Sequence, residues 1–460
     1  MTEYYILKLK NIDLQERVNR FPPDFKFNFD FAYLILHFVI EKMTNRMTKD
    51  KNTTLYNQFN SLSSKILESY CKDYRNHIRY LCENFDCVGN ILERKNYTAG
   101  NSYSYRLRSY YQYIPIEAYE ITNLSLLQKL KKQYGSNIQE SVRKNYRVFI
   151  DYFNPKRLTV QLNDALNFNA DLLEQKGEYA NYLSNAFKIL KIQNGQYYMT
   201  HNPETDGRFH SNITGFPKAF RKFLRYDSKK LAEVDICASV PTFLFYLLNH
   251  YQNLNSNLSK IIKSTKSYYL HYMFSKDAVS IDNKEIQDFG VKILNGSLYD
   301  EFKDDLNSFN CLTETYHERE FINYHFPEDE NEKFREPKYY SRKTAKEQLL
   351  KMWNAKNNCF KWEQKAFKEK YPTILKFMQL FKSKNHCFFS YLVLQMESYF
   401  MLNIVARKLN SKYKRKIPFF TLHDCIITTV ENIDVVKEFV LQTLTQELGF
   451  IPVVVVERYE

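Results

Sequence analysis

Glycine and proline are scarce in this chain, ten and twelve of 460 residues, which excludes a collagen-like or low-complexity sequence and favours a compact, helix-rich one. Cysteine is sparse and dispersed. The eight thiols (Cys71, Cys82, Cys87, Cys237, Cys311, Cys359, Cys387, Cys425) include no Cys-x-x-Cys pair, and the nearest two, Cys82 and Cys87, have no partners at zinc-finger spacing. All eight are expected to be reduced, half-buried structural side chains. No apolar stretch reads as long enough to span a bilayer, and the N-terminus carries Lys8 and Lys10 without an apolar segment behind them, unlike a signal peptide. The expectation is a soluble cytoplasmic protein with no membrane partner.

What is present is apolar mass and positive charge. At 44 % hydrophobic and 16 % aromatic, the chain has material for a large core in two or three domains. Its formal charge of +14 favours a polyanionic partner, nucleic acid first, because basic groups that replace phosphate counterions gain affinity from their release. A basic surface that only aids solubility is the plainer alternative.

The first part, to about residue 168, reads as helices followed by a ribbon. Helices are expected over Phe31–Met47, Leu55–Ser69 and Tyr74–Asn84. Val88–Tyr97 and Tyr103–Tyr113 then alternate apolar and basic residues around a polar turn at Gly100 and Asn101, as hairpin strands do. Over about residues 54–113 this order resembles a winged helix-turn-helix. Its wing would present Arg94, Lys95, Arg106 and Arg108 to phosphates, and the preceding helix Arg75, His77 and Arg79. A structural hairpin with a solvated charged face fits the same pattern.

Two carboxylates stand out further along. The apolar run Ile417–Leu422 delivers His423 and Asp424 and resumes at Ile426, which puts one acid at the tip of a strand-turn-strand. In VDICASVPTFL (234–244), an apolar strand ending at Val234 presents Asp235 just ahead of a helix. A desolvated carboxylate must be paired, hydrogen-bonded or bound to a metal, and two at strand ends suggest a two-metal site. Upstream, a helix over Tyr179–Lys191 and a strand over Gln196–Thr200 precede Asp206-Gly207-Arg208-Phe209-His210, where Gly207 permits a sharp entry. Arg208 and His210 share one side of an extended segment and, with Arg221, Lys222 and Arg225, are candidates for binding phosphates.

Between Tyr251 and Lys338 the chain reads as polar and irregular, with an exposed acidic run at Glu328–Glu332. Glu318, Glu320, His317 and His325 superficially resemble metal ligands there, but solvated surface is the better reading. A helix through Ser341–Asn354 follows and would align Arg342, Lys346, Leu350 and Asn354 on one face, because residues four apart stack. The two cations could grip a triphosphate, Leu350 could pack on a base or ribose, and Asn354 could meet the sugar.

Taken in order, Arg208 with its basic segment, the Asp235 strand, the Arg342/Lys346 helix and His423-Asp424 resemble the motif blocks of the single-subunit polymerase superfamily, from about Gly207 to the C-terminus. That superfamily comprises the family A DNA polymerases and the single-subunit phage or mitochondrial RNA polymerases. The resemblance implies an α+β, helix-rich right hand after the N-terminal region 1–168: a polymerase-like region 169–460, with palm at about 196–250 and 386–460 and fingers at about 335–385. It further implies Asp235 and Asp424 as the metal-binding carboxylates for two magnesium ions, or manganese. Arg342 and Lys346 would hold nucleotide phosphates, Lys346 would also protonate the leaving pyrophosphate, and His423 would sit near the primer terminus. Gln395, in an apolar helix over Phe388–Leu402 that also holds Glu397, would touch the minor groove unless it is simply a paired buried amide.

Departures from the family pattern fall where the sugar is chosen. Val240 stands where the DNA polymerases carry Glu and the RNA polymerases a small residue, Asn354-Ala355 replace Tyr-Gly, and Cys425 follows His423-Asp424 in place of Glu or Ser. DNA and RNA products both stay open. The expected activity is template-directed nucleotide addition, with a template, a primer or product strand and nucleoside triphosphates as partners, in a divergent member from a mobile genetic element. Two other classes compete: a non-catalytic DNA-binding replication initiator or regulator, and a two-metal nuclease.

Overall fold

A computed structural model describes residues 3–49, 58–85, 89–95, 102–251, 258–261, 280–316 and 339–460, with backbone alone over 309–316. The acidic run Glu328–Glu332, the residues His317, Glu318, Glu320 and His325, the turn at Gly100-Asn101 and Cys87 lie outside the described residues. The chain is mixed α/β and divides into two compact units, one of Met1–Thr200, His210–Leu231 and Tyr459–Glu460, the other of His201–Phe209 and Ala232–Arg458. Each is discontinuous in sequence.

The first unit is built on the Phe29–Lys49 helix, whose stretch from Phe31 to Ile40 is buried throughout because neighbours cover it all round. Tyr5–Leu9 pairs antiparallel with Ile116–Glu120 from Tyr5↔Glu120 to Leu9↔Ile116. The Tyr179–Gln193 helix contributes Tyr182, Leu183, Ala186 and Leu190 to the same core. Residue 168 lies inside the Leu162–Lys176 helix, and the first compact unit runs on to Thr200.

Around the expected wing the elements are shorter than their pattern suggested. Of the helix expected over Leu55–Ser69, residues 55–57 lie outside the described residues; Asn60–Ser61 is a short strand, and the helix that follows starts at Ser64 and runs to Tyr70. Tyr74–Cys82 is helical, and Leu92–Arg94 pairs antiparallel with Ser104–Leu107 through Leu92↔Leu107 and Arg94↔Tyr105. Asn60–Ser61 adds to the outer edge of Ser104–Leu107, so tertiary pairing overrides the local helical pattern there.

In the second unit, Cys425–Thr429 lies between Phe419–Leu422 and the end of the Lys229–Ile236 strand, and Val454–Arg458 also pairs with that strand. The Ser239–His250 helix packs Phe243 and Tyr246 on Phe400, at ring separations of 5.6 and 5.0 Å. The stretch read as polar and irregular after Tyr251 is corrected: Asn283–Leu294 and Leu298–Tyr316 are helices. Leu298, Phe302 and Leu306 are buried at four-residue intervals, a helical stripe that the surrounding charge obscured.

The expectation that no apolar stretch reaches membrane length is corrected by the helical run Cys387–Lys412, 26 residues long and apolar enough by composition. Of its apolar window 67 % is buried inside the protein, as in a core helix. Its middle, Tyr399–Ala406, is wound as a π-helix, a feature found mostly at functional sites.

Candidate active site

Asp424 sits in a two-residue loop, because Leu422 pairs with Cys425 and leaves only His423 and Asp424 to turn the chain. His423 takes the left-handed φ of +56° that the first position of such tight turns demands. Asp235 lies within its strand opposite Val455, one residue before the strand ends at Ile236, which corrects the expectation that it follows the strand. Ala238 then adopts φ +51° to swing the chain into the helix starting at Ser239. A left-handed alanine or histidine costs roughly 1–2 kcal/mol, so backbone strain flanks both acids.

The two strands bring the acids together from 189 positions apart. Oxygens of Asp235 and Asp424 and the Sγ of Cys425 lie within 4.8 Å of one another. Cys425 donates to Asp235 Oδ1 at 2.8 Å and lies 3.7 Å from Asp424 Oδ1. Burial pushes the Cys425 thiol well above its ordinary range, and the adjacent Asp424 and Asp235 charges push it further. The carboxyl of Asp424 is also raised, by burial first, against the opposing pull of Arg208 and Lys346. Cysteine here is part of the cluster, although its dispersion in the sequence suggested only a structural role.

Glu397 is the residue whose place in the site the sequence left unread. It is 1 % exposed, accepts from Ser239 Oγ at 2.7 Å and from Arg208 Nε and Nη2 at 2.9 and 2.7 Å. Burial pushes its carboxyl up to about 7, Arg208 pulls it down, and the Asp424 charge raises it. The signal available was an acid inside the apolar run of the Cys387–Ser398 helix.

Arg342 and Lys346 lie on the Arg342–Asn354 helix, which opens with a reciprocal Ser341–Thr344 capping box. Arg342 pairs with Asp300 at 3.0 Å, and both cations lie over the Tyr299 ring, at 5.7 and 5.4 Å from its centroid. Burial raises the Tyr299 hydroxyl pKa, opposed by Arg342 and assisted by Asp424, so this buried tyrosine senses the same charges. Tyr299 and Asp300 were missed because their helix was read as irregular. Leu350 is half-buried, Asn354 exposed at the helix end, and Val240 half-buried in the first turn after Ser239.

Gln395 is 7 % exposed and donates to the carbonyls of Pro203 and Thr205 at 3.1 and 2.7 Å. Its amide nitrogen thus holds a protein loop, the paired alternative to a minor-groove contact. Gly207, at φ +65°, packs so that an added Cβ would lie 3.3 Å from Gln395 Cγ. The other candidates belong to the first unit: His210 is half-buried, Arg221 lies 6.0 Å from the Tyr459 ring, and Arg225 donates to the Lys222 and Leu224 carbonyls. Arg94 covers the Tyr103 ring at 5.0 Å, and Arg106 bonds Glu93 at 2.6 Å across the hairpin.

The donor set fits a divalent cation in its chemistry. Two half-buried carboxylates at this spacing supply the hard oxygens magnesium or manganese takes, while the protonated thiol adds a hydrogen-bond donor to Asp235.

No family model matches the chain, and no curated protein matches it. Among solved structures it is similar to the POL domain of Pol1 from M. smegmatis in complex with DNA primer-template and dNTP, with a TM-score of 0.28 and 8 % identity, over 72 % of this chain and 66 % of that one. The chain therefore spans less than two thirds of that domain's length, and a likeness at this level assigns neither fold nor activity.

Proposed function

We propose that this chain is a template-directed nucleotidyltransferase that extends a nucleic-acid strand from nucleoside triphosphates. One observation carries the reading: Asp235 and Asp424, 189 positions apart in sequence, meet at Cys425 beside the charges of Arg208 and Lys346. Paired carboxylates facing cations suit a reaction in which a 3′-hydroxyl attacks an α-phosphate and pyrophosphate leaves. Bound by Asp235 and Asp424, two magnesium or manganese ions would supply Lewis-acid stabilisation of the phosphoryl charge.

The protein's own groups account for the rest. Arg342 gives up an exposed pair with Asp300, worth at most about 1 kcal/mol, to hold a triphosphate. Lys346, four residues on, gives a proton to the departing pyrophosphate. His423 lies at the strand terminus, and Val240 and Asn354 line the sugar, whose identity they leave open. In this reading the right-hand layout has its palm over about 196–250 and 386–460 and its fingers over about 335–385. The hairpin with Arg94 and Arg106, and the segment bearing His210, Arg221 and Arg225, contact the strand backbone.

The test is extension of a labelled primer on DNA and RNA templates with magnesium, offering deoxy- and ribonucleotides separately. D235A and D424A are each expected to lower extension by at least about 1,000-fold, because several kcal/mol of charge stabilisation is lost. Binding without extension by the wild type would favour the initiator, and strand degradation without triphosphates would favour the nuclease.

A further inference from the structure

The end of the Cys387–Ser398 helix grips the loop that carries Arg208. Gln395 bonds the Pro203 and Thr205 carbonyls, and Ser398 Oγ donates to the Asp206 carbonyl at 3.1 Å. Between them Glu397 takes the Arg208 guanidinium with one oxygen and the Ser239 hydroxyl with the other. Both carboxylate oxygens are therefore engaged, on a side chain 1 % exposed. The bonds to Arg208 use Nε and Nη2; its side chain is 21 % exposed, and Nη1 has no protein partner among the described residues.

Such a pair is a poor source of stability, since the desolvation of both charges offsets most of their attraction. It is a good source of orientation. A planar guanidinium fixed along one edge by a buried carboxylate cannot rotate, so its remaining nitrogen points in one direction. Through Glu397 that guanidinium is tied to Ser239, which opens the helix just after Asp235, and so it stands beside the acid cluster. The ligand chemistry matched by a fixed cationic donor at the edge of two carboxylates is a phosphate oxygen of a nucleic-acid strand.

We infer that Glu397 is a positioning residue: it locks Arg208, through a contact shared with Ser239, so that the free guanidinium nitrogen binds a strand phosphate beside Asp424. The inference rests on the polymerase reading above. Glu397 touches neither strand nor nucleotide.

A binding cycle on the full chain decides it. Fluorescence anisotropy with a labelled primer–template DNA, without nucleotides, is measured for wild type, E397Q, R208A and R208A/E397Q. Thermal unfolding of each establishes that it is folded. E397Q keeps the side-chain shape and removes the charge, and is expected to weaken binding about tenfold, as for loss of a well-placed charged hydrogen bond. The double variant is expected to bind within about twofold of E397Q, because Arg208 is already misplaced. In extension assays E397Q raises KM for the primer–template while kcat at saturating strand holds, whereas a fold defect would lower the active fraction.

R208A strands a buried carboxylate; if it fails to fold, E397Q against R208A/E397Q still decides. Wild-type binding by E397Q overturns the inference, and so does a full further loss on removing Arg208 from E397Q. A wild type that binds no strand overturns it together with the polymerase reading. A wild type that binds yet never extends sinks the polymerase reading alone, and the binding cycle still judges Glu397.

Discussion

Lys382 is 4 % exposed and donates to the Met352 carbonyl at 3.1 Å, in the last turn of the Arg342–Asn354 helix. A cation suits that negative helix end, yet burial lowers its pKa from 10.5 to about 8. Between those values the unfolded chain binds more protons than the folded one, so this group makes stability rise with pH from about 8 to 10.5. Below about 8 the cost of the buried charge is present in full. Lys382→Met is expected to raise the unfolding free energy at pH 7 by about 1 kcal/mol and to flatten the pH slope above 8, as read by denaturant titration. Single residues also mark what sequence hides. Asp235 and Asp424 were legible because an acid inside apolar strands needs a reason; Cys425 and Glu397 acquire theirs only from the neighbours that folding supplies.

Local rules were reliable where an element's own residues decide it. The Ser341 capping box starts its helix where the pattern placed it, and the His423-Asp424 turn follows from two flanking apolar strands. Ser341→Ala removes the bond to the Thr344 amide and is expected to cost the helix about 1 kcal/mol. Amide exchange should then accelerate over Arg342–Ala345 while the Cys425–Thr429 strand stays protected. The rules failed where partners decide. Asn60–Ser61 is a strand because Ser104–Leu107 offers an edge, and Leu298–Tyr316 is a helix whose buried stripe of Leu298, Phe302 and Leu306 packs on partners distant in sequence.

At the scale of the molecule, the acid cluster depends on strands drawn from opposite ends of the second unit's sequence. Val454–Arg458 pairs with the Asp235 strand at every position from Ala232↔Arg458 to Ile236↔Val454. Deleting residues 454–460 is expected to unfold this sheet and leave extension no higher than in D235A, with limited proteolysis reporting the opened unit. The charge of +14 acts over the whole surface as well. Strand affinity should fall linearly on a log–log plot against salt, with a slope of about −0.9 for each duplex phosphate neutralised. A flat salt response in anisotropy would remove nucleic acid as the partner.

The sequence alone determined the class of chemistry worth seeking, since charge sign, apolar periodicity and acids inside apolar strands are properties of short segments. Helix Arg342–Asn354, hairpin Phe419–Thr429 and the Asp206-Gly207-Arg208 turn were legible for that reason. Tertiary structure decided which groups meet: Cys425 on Asp235, Glu397 between Arg208 and Ser239, and Tyr299 beneath Arg342 and Lys346. These contacts join residues far apart in the chain, and their energies come from desolvation and shared charge, which exist only once the burying neighbours are in place.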